Sequence, residues 1–526
     1  LRHVLYPTCF VTTCILCGCS MESVVRWQTL AVAVLAYYAT LVFYRLFLDP
    51  LARFPGPRLA AISRWYEAYY DVFLGGRYTF KIAQLHKEYG PIIRISPYEL
   101  HVSDPPFFET LYRLDGRWDK YAWTYDAFGA KDSTVFGSGH DAHKLHRRSI
   151  APFFSKQNIW ARQGLLNDNV EKLCRRISKL EGTTFNLGAA ISAFTRDNAN
   201  RFILGKGYNE LELDDFGVGL SSASHGAGGF WRITKHIRWF GPLLKAMPIS
   251  WAMKSADEGT RAFLRFMQQQ EQDTRETLAA AMSPSATVSD KVWDTMVYGI
   301  AHSSLPPADK TLDRVMQEVG PTLGAGYETT ANTLRLIFFH VYSDAEILRR
   351  IREELALVSA GGVSDSTDPV SLKQLEGLPY LTAVLTEGMR LSPGIATRAA
   401  RITDKDLFYN QWRIPAGTPI GMTAYLMHID ETIYPEPMRF NPDRWLGSEG
   451  VAADSKFYAP FSRGTRMCLG MHLSWAQMYL ILAVLVKEFD FTVKGTAEDF
   501  EAKMDNFAIG TDAGPNLLAF VTARSA

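Results

Sequence analysis

The stretch FSRGTRMCLG, residues 461–470, sets one cysteine, Cys468, among Arg463, Arg466, Gly464 and Gly470, in a chain that is otherwise almost without cysteine after residue 19. Cys9, Cys14, Cys17 and Cys19 crowd the first 19 residues, and only Cys174 and Cys468 serve the remaining five hundred, so a disulfide framework for the body is excluded. The four early cysteines lie in an apolar run without His or acidic partners, a poor setting for a metal. Positive charge and glycine-permitted turns stabilise a thiolate at Cys468, which makes its sulfur a ligand or a nucleophile. A nucleophile needs a base, and His472 is near only in sequence. A zinc site needs further Cys or His at close spacing, and none is there. What remains is a metal with one protein ligand and its other positions filled by a cofactor, around which the body must fold.

Phe461, Gly464, Arg466, Cys468 and Gly470 together spell Phe-x-x-Gly-x-Arg-x-Cys-x-Gly, and the chain thereby resembles the cytochrome P450 family of heme-thiolate monooxygenases. The resemblance implies heme b with Cys468 as axial iron ligand, Phe461 against the sulfur, Arg466 on a propionate, and Gly464 and Gly470 allowing close backbone approach. In LTEGMR, Glu387 and Arg390 stand three apart on one helix face, a pair that alone reads as solvated decoration. With PEPMRFNPDRW (435–445), which resembles the family's Pro-x-Arg-Phe segment, Arg439 is expected to complete a buried Glu-Arg-Arg cluster of structural purpose.

LGAGYETTANTLRLIFFHV (323–341) is apolar enough for a central helix, yet Gly324 and Gly326 weaken it by about 1 kcal/mol each against Ala, which calls for a reason. A nucleotide loop lacks its third glycine and preceding strand. By the resemblance, Ala325-Gly326-Tyr327-Glu328-Thr329 is the oxygen-groove motif, with Gly326 opening room and Glu328 and Thr329 relaying protons. Gly320 and Pro321 are read as a kink one turn earlier. HDAHKLHRRSIAPFFS (140–155) resembles the helix that meets the heme carboxylates and assigns His143 and Arg147, with His143 where many members carry Trp. ATRAARITDKDL (396–407) offers Arg401 as propionate partner, with Arg398 as alternate, and Ile395 and Ala396 as substrate-pocket residues.

At the front, the 18 residues Trp27–Tyr44 carry no charge and are flanked by interfacial aromatics, the signature of a membrane helix too long for a cleaved signal. Residues 1–20 read as a gene-model extension before Met21, residues 21–48 as a transmembrane signal anchor, and 49–58, with FPGPR, as a stiff Pro-rich hinge. Arg45, Arg53 and Arg58 against Asp49 place the body on the cytosolic side of a single-pass anchor, and the resemblance implies the endoplasmic reticulum membrane.

Residues 59–526 read as one catalytic domain. Helical periodicity dominates, with strand-like runs at PIIRISPYELHV and FYNQWRIPAGTPIGM that do not alternate as a βαβ sheet would, so the fold class is mainly α with small β-sheets (α+β). SPSATVSD (283–290) and SAGGVSDSTDP (359–369) read as surface loops. With 56 basic and 55 acidic residues there is no electrostatic case for nucleic acid.

PGPRLAAISRWYEAYYDVFLGG and YGPIIRISPYELHV resemble a fungal, trichodiene-oxygenase-like branch, which implies a small apolar substrate, a terpenoid or other secondary-metabolite scaffold. The aromatic segments WDKYAWTYDAFG (118–129) and GAGGFWRI (226–233) fit either a pocket or ordinary core. No flavin, iron–sulfur or dinucleotide motif accompanies them, so the resemblance implies dioxygen and NADPH as co-substrates, with electrons from a membrane-bound NADPH–cytochrome P450 reductase. Two other readings stay open: a heme-thiolate isomerase or dehydratase that does not consume dioxygen, which has no use for Glu328 and Thr329, and a non-catalytic membrane heme sensor or carrier.

Overall fold

The structure is a computed structural model that describes residues 21–283, 295–360, 371–447 and 456–524. The N-terminal extension and most of both Ser/Gly-rich loops lie outside these residues. The apolar run forms the helix Met21–Phe43, prolonged by a π-helical turn Tyr44–Leu48; the stretch Val25–Leu48 is long and apolar enough to cross a membrane and none of it is buried in the body.

The connector after it is clamped. Buried Arg94 donates to the Arg45 carbonyl at 2.8 Å and lies 3.5 Å from Asp49, and its own amide donates to the Pro55 carbonyl at 2.7 Å. Gly56, at φ +147°, lies against the Arg94 backbone, where a Cβ would collide. The prolines set the chain direction and Arg94 fixes it.

The body is mainly helical with small sheets. Both strand-like runs are strands: Ile92–Arg94 pairs antiparallel with Leu100–Val102, and Leu407–Tyr409 with Trp412–Ile414. The first pair belongs to a five-stranded sheet that continues through Ile420–Gly421 and Arg401–Ile402 to Asp119–Lys120. In its last pair Lys120 stands directly opposite Arg401.

The 32-residue helix Leu312–Ser343 runs through the main core against Leu187–Leu204, with Pro321 accommodated inside it. The helix Pro379–Leu391, which carries Glu387 and Arg390, packs on it so closely that a Cβ on Gly388 would overlap the Ile337 side chain. A threonine and an asparagine of the central helix reach out of the core: Thr333 Oγ1 donates to the Ser392 carbonyl at 2.7 Å and Asn332 Nδ2 to Ile509 at 3.1 Å. These bonds tie the helix to the segment after Leu391 and to the hairpin Met504–Asn506/Ala508–Gly510, which together border the site.

Candidate active site

Cys468 sits in a loop that its own backbone closes. Its amide donates to the Phe461 carbonyl at 2.9 Å, Ser462 and Gly464 take left-handed conformations, and the helix Met471–Glu488 begins directly after Gly470. Phe461 is half-buried against the main core. Gly464, at φ +75°, presses on the backbone of Tyr112 and Arg113, so that a Cβ would stand 2.7 Å from the Tyr112 carbonyl carbon. No protein atom lies within 4 Å of the corresponding point on Gly470, so the chain's own packing makes no demand for glycine there. Gly464→Ala incurs both backbone strain, on the order of 1–3 kcal/mol, and a clash. We expect a lower melting temperature and loss of heme incorporation from it, with Gly470→Ala much milder in thermal unfolding.

Cys468 as a residue is exposed, while Gly464 and Arg466 in the same loop are buried and protein packs around the thiol. Burial pushes its thiol up, while the backbone N–H groups of Gly470 and Met471 and the cations Arg147 and Lys120 pull it down. Those cations belong to a larger set. Arg147 donates to the Met467 carbonyl at 2.8 Å, Arg466 to the Gly137 and Ser138 carbonyls at 2.8 and 2.7 Å, and Arg401 to the Ala399 carbonyl at 3.0 Å. Lys120 donates to the Val135 carbonyl at 2.6 Å.

Among the described residues none of these four cations makes an ion pair, and Lys120 and Arg466 are depressed by their cationic neighbours. Arg466 is brought down to about 10, by burial first and Arg401 next, and Lys120 lies well below its ordinary value for the same two causes. Buried His143 is pushed down to about 2 by burial and by Arg466, Lys120 and Arg147, so it is neutral and its N–H is available. Arg466 Nε is buried without a hydrogen-bond partner. Gathering like charges without counter-ions is costly, and a dianionic ligand beside a sulfur donor relieves it. The donor set fits a heme with its two propionates.

His143, Arg147, Arg401 and Arg466 thus converge as the sequence reading expects. Arg398, the alternate, does not join them: its guanidinium is committed to Glu99 at 2.8 Å and Glu67 at 2.7 Å, both carboxylates fully buried. Lys120 is the residue sequence reasoning missed, because its place comes from strand pairing with Arg401 rather than from any local motif. Arg398→Leu leaves two buried carboxylates short of a partner and should cost about 3–5 kcal/mol of stability. Arg401→Leu should instead leave the melting curve of the heme-free protein nearly unchanged while lowering heme retention, measured by pigment content after gel filtration.

Three assignments need correction. Arg439 does not reach Glu387: its side chain is exposed on Glu436 at 3.2 Å, and Arg444 takes the place, with Nε 3.2 Å from Glu387 Oε1. The turn Pro442–Trp445 packs against the Pro379–Leu391 helix and turns Arg444 and Trp445 inward, and Trp445 Nε1 donates to Glu387 Oε2 at 2.9 Å. Gly326 faces Ala199, whose Cβ is 3.3 Å from the point a Cβ would take, so its smallness serves helix packing. The exposed residues on this stretch are Gly324 and Ala325, and Thr329 donates from Oγ1 to the Ala325 carbonyl at 2.8 Å. Ala396 is fully buried among Tyr425, Ala502 and Ile509 and lines no pocket. Half-buried Ile395 forms an antiparallel bridge with Ala508.

The two aromatic segments meet. Phe128 stacks on Phe136 with centroids 4.0 Å apart and on Trp231 at 5.9 Å, and Phe507 packs edge-on to Phe128 at 4.9 Å and to Trp231 at 5.6 Å. Phe507 holds the hairpin tip at φ +70°, and its carbonyl accepts from the Ala396 amide at 3.0 Å. The adjacent Ile509 amide donates to the Gly394 carbonyl at 3.1 Å, and Gly394 rests on Thr329. A continuous path of contacts therefore runs from the aromatic cluster to Thr329.

A cysteine loop among unpaired cations defines a site for a large anionic cofactor with a thiolate ligand. The family model for cytochrome P450 matches residues 69–519, and the chain belongs to that family. It is 36% identical over 500 residues to the cytochrome P450 monooxygenase tpcC of Cochliobolus heterostrophus, covering 92% of this chain and 93% of that protein. It is 36% identical over 501 residues to the N-acetyltryptophan 6-hydroxylase ivoC of Emericella nidulans (91% and 94%), and 32% identical over 475 residues to the cytochrome P450 monooxygenase TRI4 of Fusarium sporotrichioides (89% of each). The protein is an oxidoreductase of the monooxygenase type, and these relatives are fungal. Its family uses heme-thiolate iron, dioxygen and electrons from a redox partner.

Proposed function

We propose that the protein hydroxylates or otherwise oxidises an apolar secondary-metabolite scaffold of terpenoid type, with heme b held by Cys468 and electrons from NADPH–cytochrome P450 reductase, at the endoplasmic reticulum membrane with its catalytic domain cytosolic. The observation that carries the substrate reading is the cluster of Phe128, Phe136, Trp231 and Phe507, linked to Thr329 through Ile509 and Gly394, which offers large apolar faces and few polar handles. Such a wall selects shape and apolar area. The anchor at Val25–Leu48 and the clamp at Arg94 support the location, since they hold the body close to a membrane surface.

Cys468 would hold the heme iron, and Lys120, His143, Arg147, Arg401 and Arg466 would receive the propionates through charge-assisted hydrogen bonds. Heme bound there supplies the chemistry that activates dioxygen and inserts one of its oxygen atoms into the substrate. The chain's own residues orient and supply. Ile395 and the aromatic wall fix the substrate against the central helix, and the Thr329 hydroxyl, now donating to Ala325, turns to pass a proton into the groove. Glu328, one residue back on the helix, is the acid that replenishes it.

The test is product analysis from yeast microsomes containing the protein and the reductase, fed cyclic terpenes and, because one relative is named for it, N-acetyltryptophan. NADPH-dependent oxidation of terpenes supports this reading; oxidation of the indole alone replaces it with an aromatic substrate. Phe507→Ala should change the ratio of products more than the rate of NADPH consumption.

A further inference from the structure

Glu328 is tied by its carboxylate to Arg335 and to the helix Leu187–Leu204. Its Oε2 accepts from Arg335 Nη2 at 2.6 Å and from Ser192 Oγ at 3.3 Å, and its Oε1 lies 3.4 Å from Arg196 Nη1. Arg196, fully buried in the helix Leu187–Leu204, is shared: its Nε donates to Glu210 Oε2, its Nη1 to Ser221 at 2.5 Å and its Nη2 to the Phe216 carbonyl at 3.1 Å. Two carboxylates thus compete for one guanidinium.

Glu210 sits in the turn Glu210–Glu212, and its second oxygen, Oε1, is buried with no hydrogen-bond partner. Gly217, at φ +63°, makes room for the pair: a Cβ there would stand 3.1 Å from Glu210 Oε2 and 3.2 Å from Arg196 Nη2. An orphaned buried carboxylate oxygen disfavours the ionised form. Burial, with Asp197 and Glu328 adding to it, raises Glu210 to about 7 against the pull of Arg196. The other titratable groups around this network are Tyr208 and Tyr327, whose hydroxyls feel Glu210, and His225, which feels Arg335 and Glu328.

We propose that Glu210 is a positioning residue for the groove acid: by binding or releasing a proton it decides whether Arg196 serves Glu210 or Glu328, and so how firmly Glu328 is held. This rests on the reading of Glu328 given above. With Glu210 ionised, Arg196 stays with it and Glu328 is held chiefly by Arg335. With Glu210 protonated, Arg196 turns its charge to Glu328, which is then clamped by two arginines. The proton is exchanged with solvent and no group is oxidised or reduced.

The test is infrared titration of carboxyl bands in the holoenzyme, for wild type, Glu210→Gln and Glu328→Gln. We expect a band titrating near neutrality in wild type, absent from Glu210→Gln, and with its midpoint lowered in Glu328→Gln, where Glu210 no longer shares Arg196. A band that survives in Glu210→Gln, or an unmoved midpoint in Glu328→Gln, would overturn the coupling. A raised carboxyl favours folding below its unfolded value and loses that contribution as pH rises through the folded one. The melting temperature of Glu210→Gln should therefore gain on wild type as pH rises from 4.5 to about 7, whereas a constant difference contradicts the assignment. Should the glutamine variant fail to fold, Glu210→Asp, which keeps the titration, must show a near-neutral band.

Peroxide formed per NADPH consumed with reductase gives the functional arm. Wild type and Glu210→Gln should agree below about pH 6 and differ several-fold above about pH 8, with parallel profiles counting against the proposal. If Glu328→Gln keeps the wild-type peroxide yield at every pH while the infrared coupling is present, the role of Glu328 in the groove is wrong and the Glu210–Arg196 coupling stands.

Discussion

Cys468→Ala should give a folded protein without a thiolate-ligated heme and without turnover. The cysteine loop is shaped by the Cys468 amide on the Phe461 carbonyl, by Gly464 on the Tyr112–Arg113 backbone and by Arg147 on the Met467 carbonyl, none of which needs the sulfur. Because these backbone contacts shape the loop, removing the sulfur should leave the heme-free protein folded, with a melting temperature close to that of wild type. Cys174, the other free cysteine among the described residues, cannot replace it: it lies against the main core on the helix Gln163–Ser178, and burial pushes its thiol up to about 12. A melting curve, the carbon monoxide difference spectrum of the reduced protein and NADPH-dependent product formation with reductase check the three expectations in turn. A thiolate spectrum that survives the substitution would remove Cys468 from the iron.

Glu387→Ala should have the opposite character, losing the fold around the site before any chemistry is tested. The fully buried Glu387 carboxylate accepts from Arg390 Nε and Nη2, both at 2.8 Å, from Arg444 Nε at 3.2 Å, from the Asn441 amide at 2.9 Å and from Trp445 Nε1 at 2.9 Å. Deleting one partner of a buried ion pair costs about 3–5 kcal/mol, and here two guanidinium groups lose their counter-charge together, keeping only backbone carbonyls. Against a typical stability of about 5–15 kcal/mol that loss is severe. The segment from Asn441 to Trp445 should detach from the Pro379–Leu391 helix, and the protein should be recovered with little heme. Glu387→Gln, which keeps one acceptor oxygen but loses the charge and the second acceptor, should fall between. Normal heme content in Glu387→Ala would show that the cluster is dispensable. Arg439→Ala should be silent, because that side chain only meets Glu436 at the surface.

That contrast shows where sequence runs out. The cysteine loop and the Glu387–Arg390 pair are legible because every residue involved lies within ten positions and a helix or a turn fixes the geometry. The third member of the cluster is ambiguous locally: Pro437-Met438-Arg439-Phe440 and Pro442-Asp443-Arg444-Trp445 have the same Pro-x-Arg-aromatic spelling, and only packing of the second turn against the Glu387 helix decides between them. Arg398 and Arg401 are likewise equivalent in sequence. Glu67 and Glu99, some three hundred residues away, claim the first and leave the second to the cation set. Lys120, Arg196 and Glu210 carry no motif at all, since their surroundings are made by strand pairing and helix crossing. Gly326 is conspicuous in sequence for a functional reason and in the structure for a packing one.

The most direct test of the account is the fate of labelled dioxygen in microsomes holding the protein and its reductase, with products weighed by mass spectrometry with and without NADPH. The account predicts one labelled oxygen atom per oxidised product, NADPH-dependent and absent from Cys468→Ala. Conversion that proceeds without label and without NADPH would contradict it and make the protein a heme-thiolate isomerase or dehydratase.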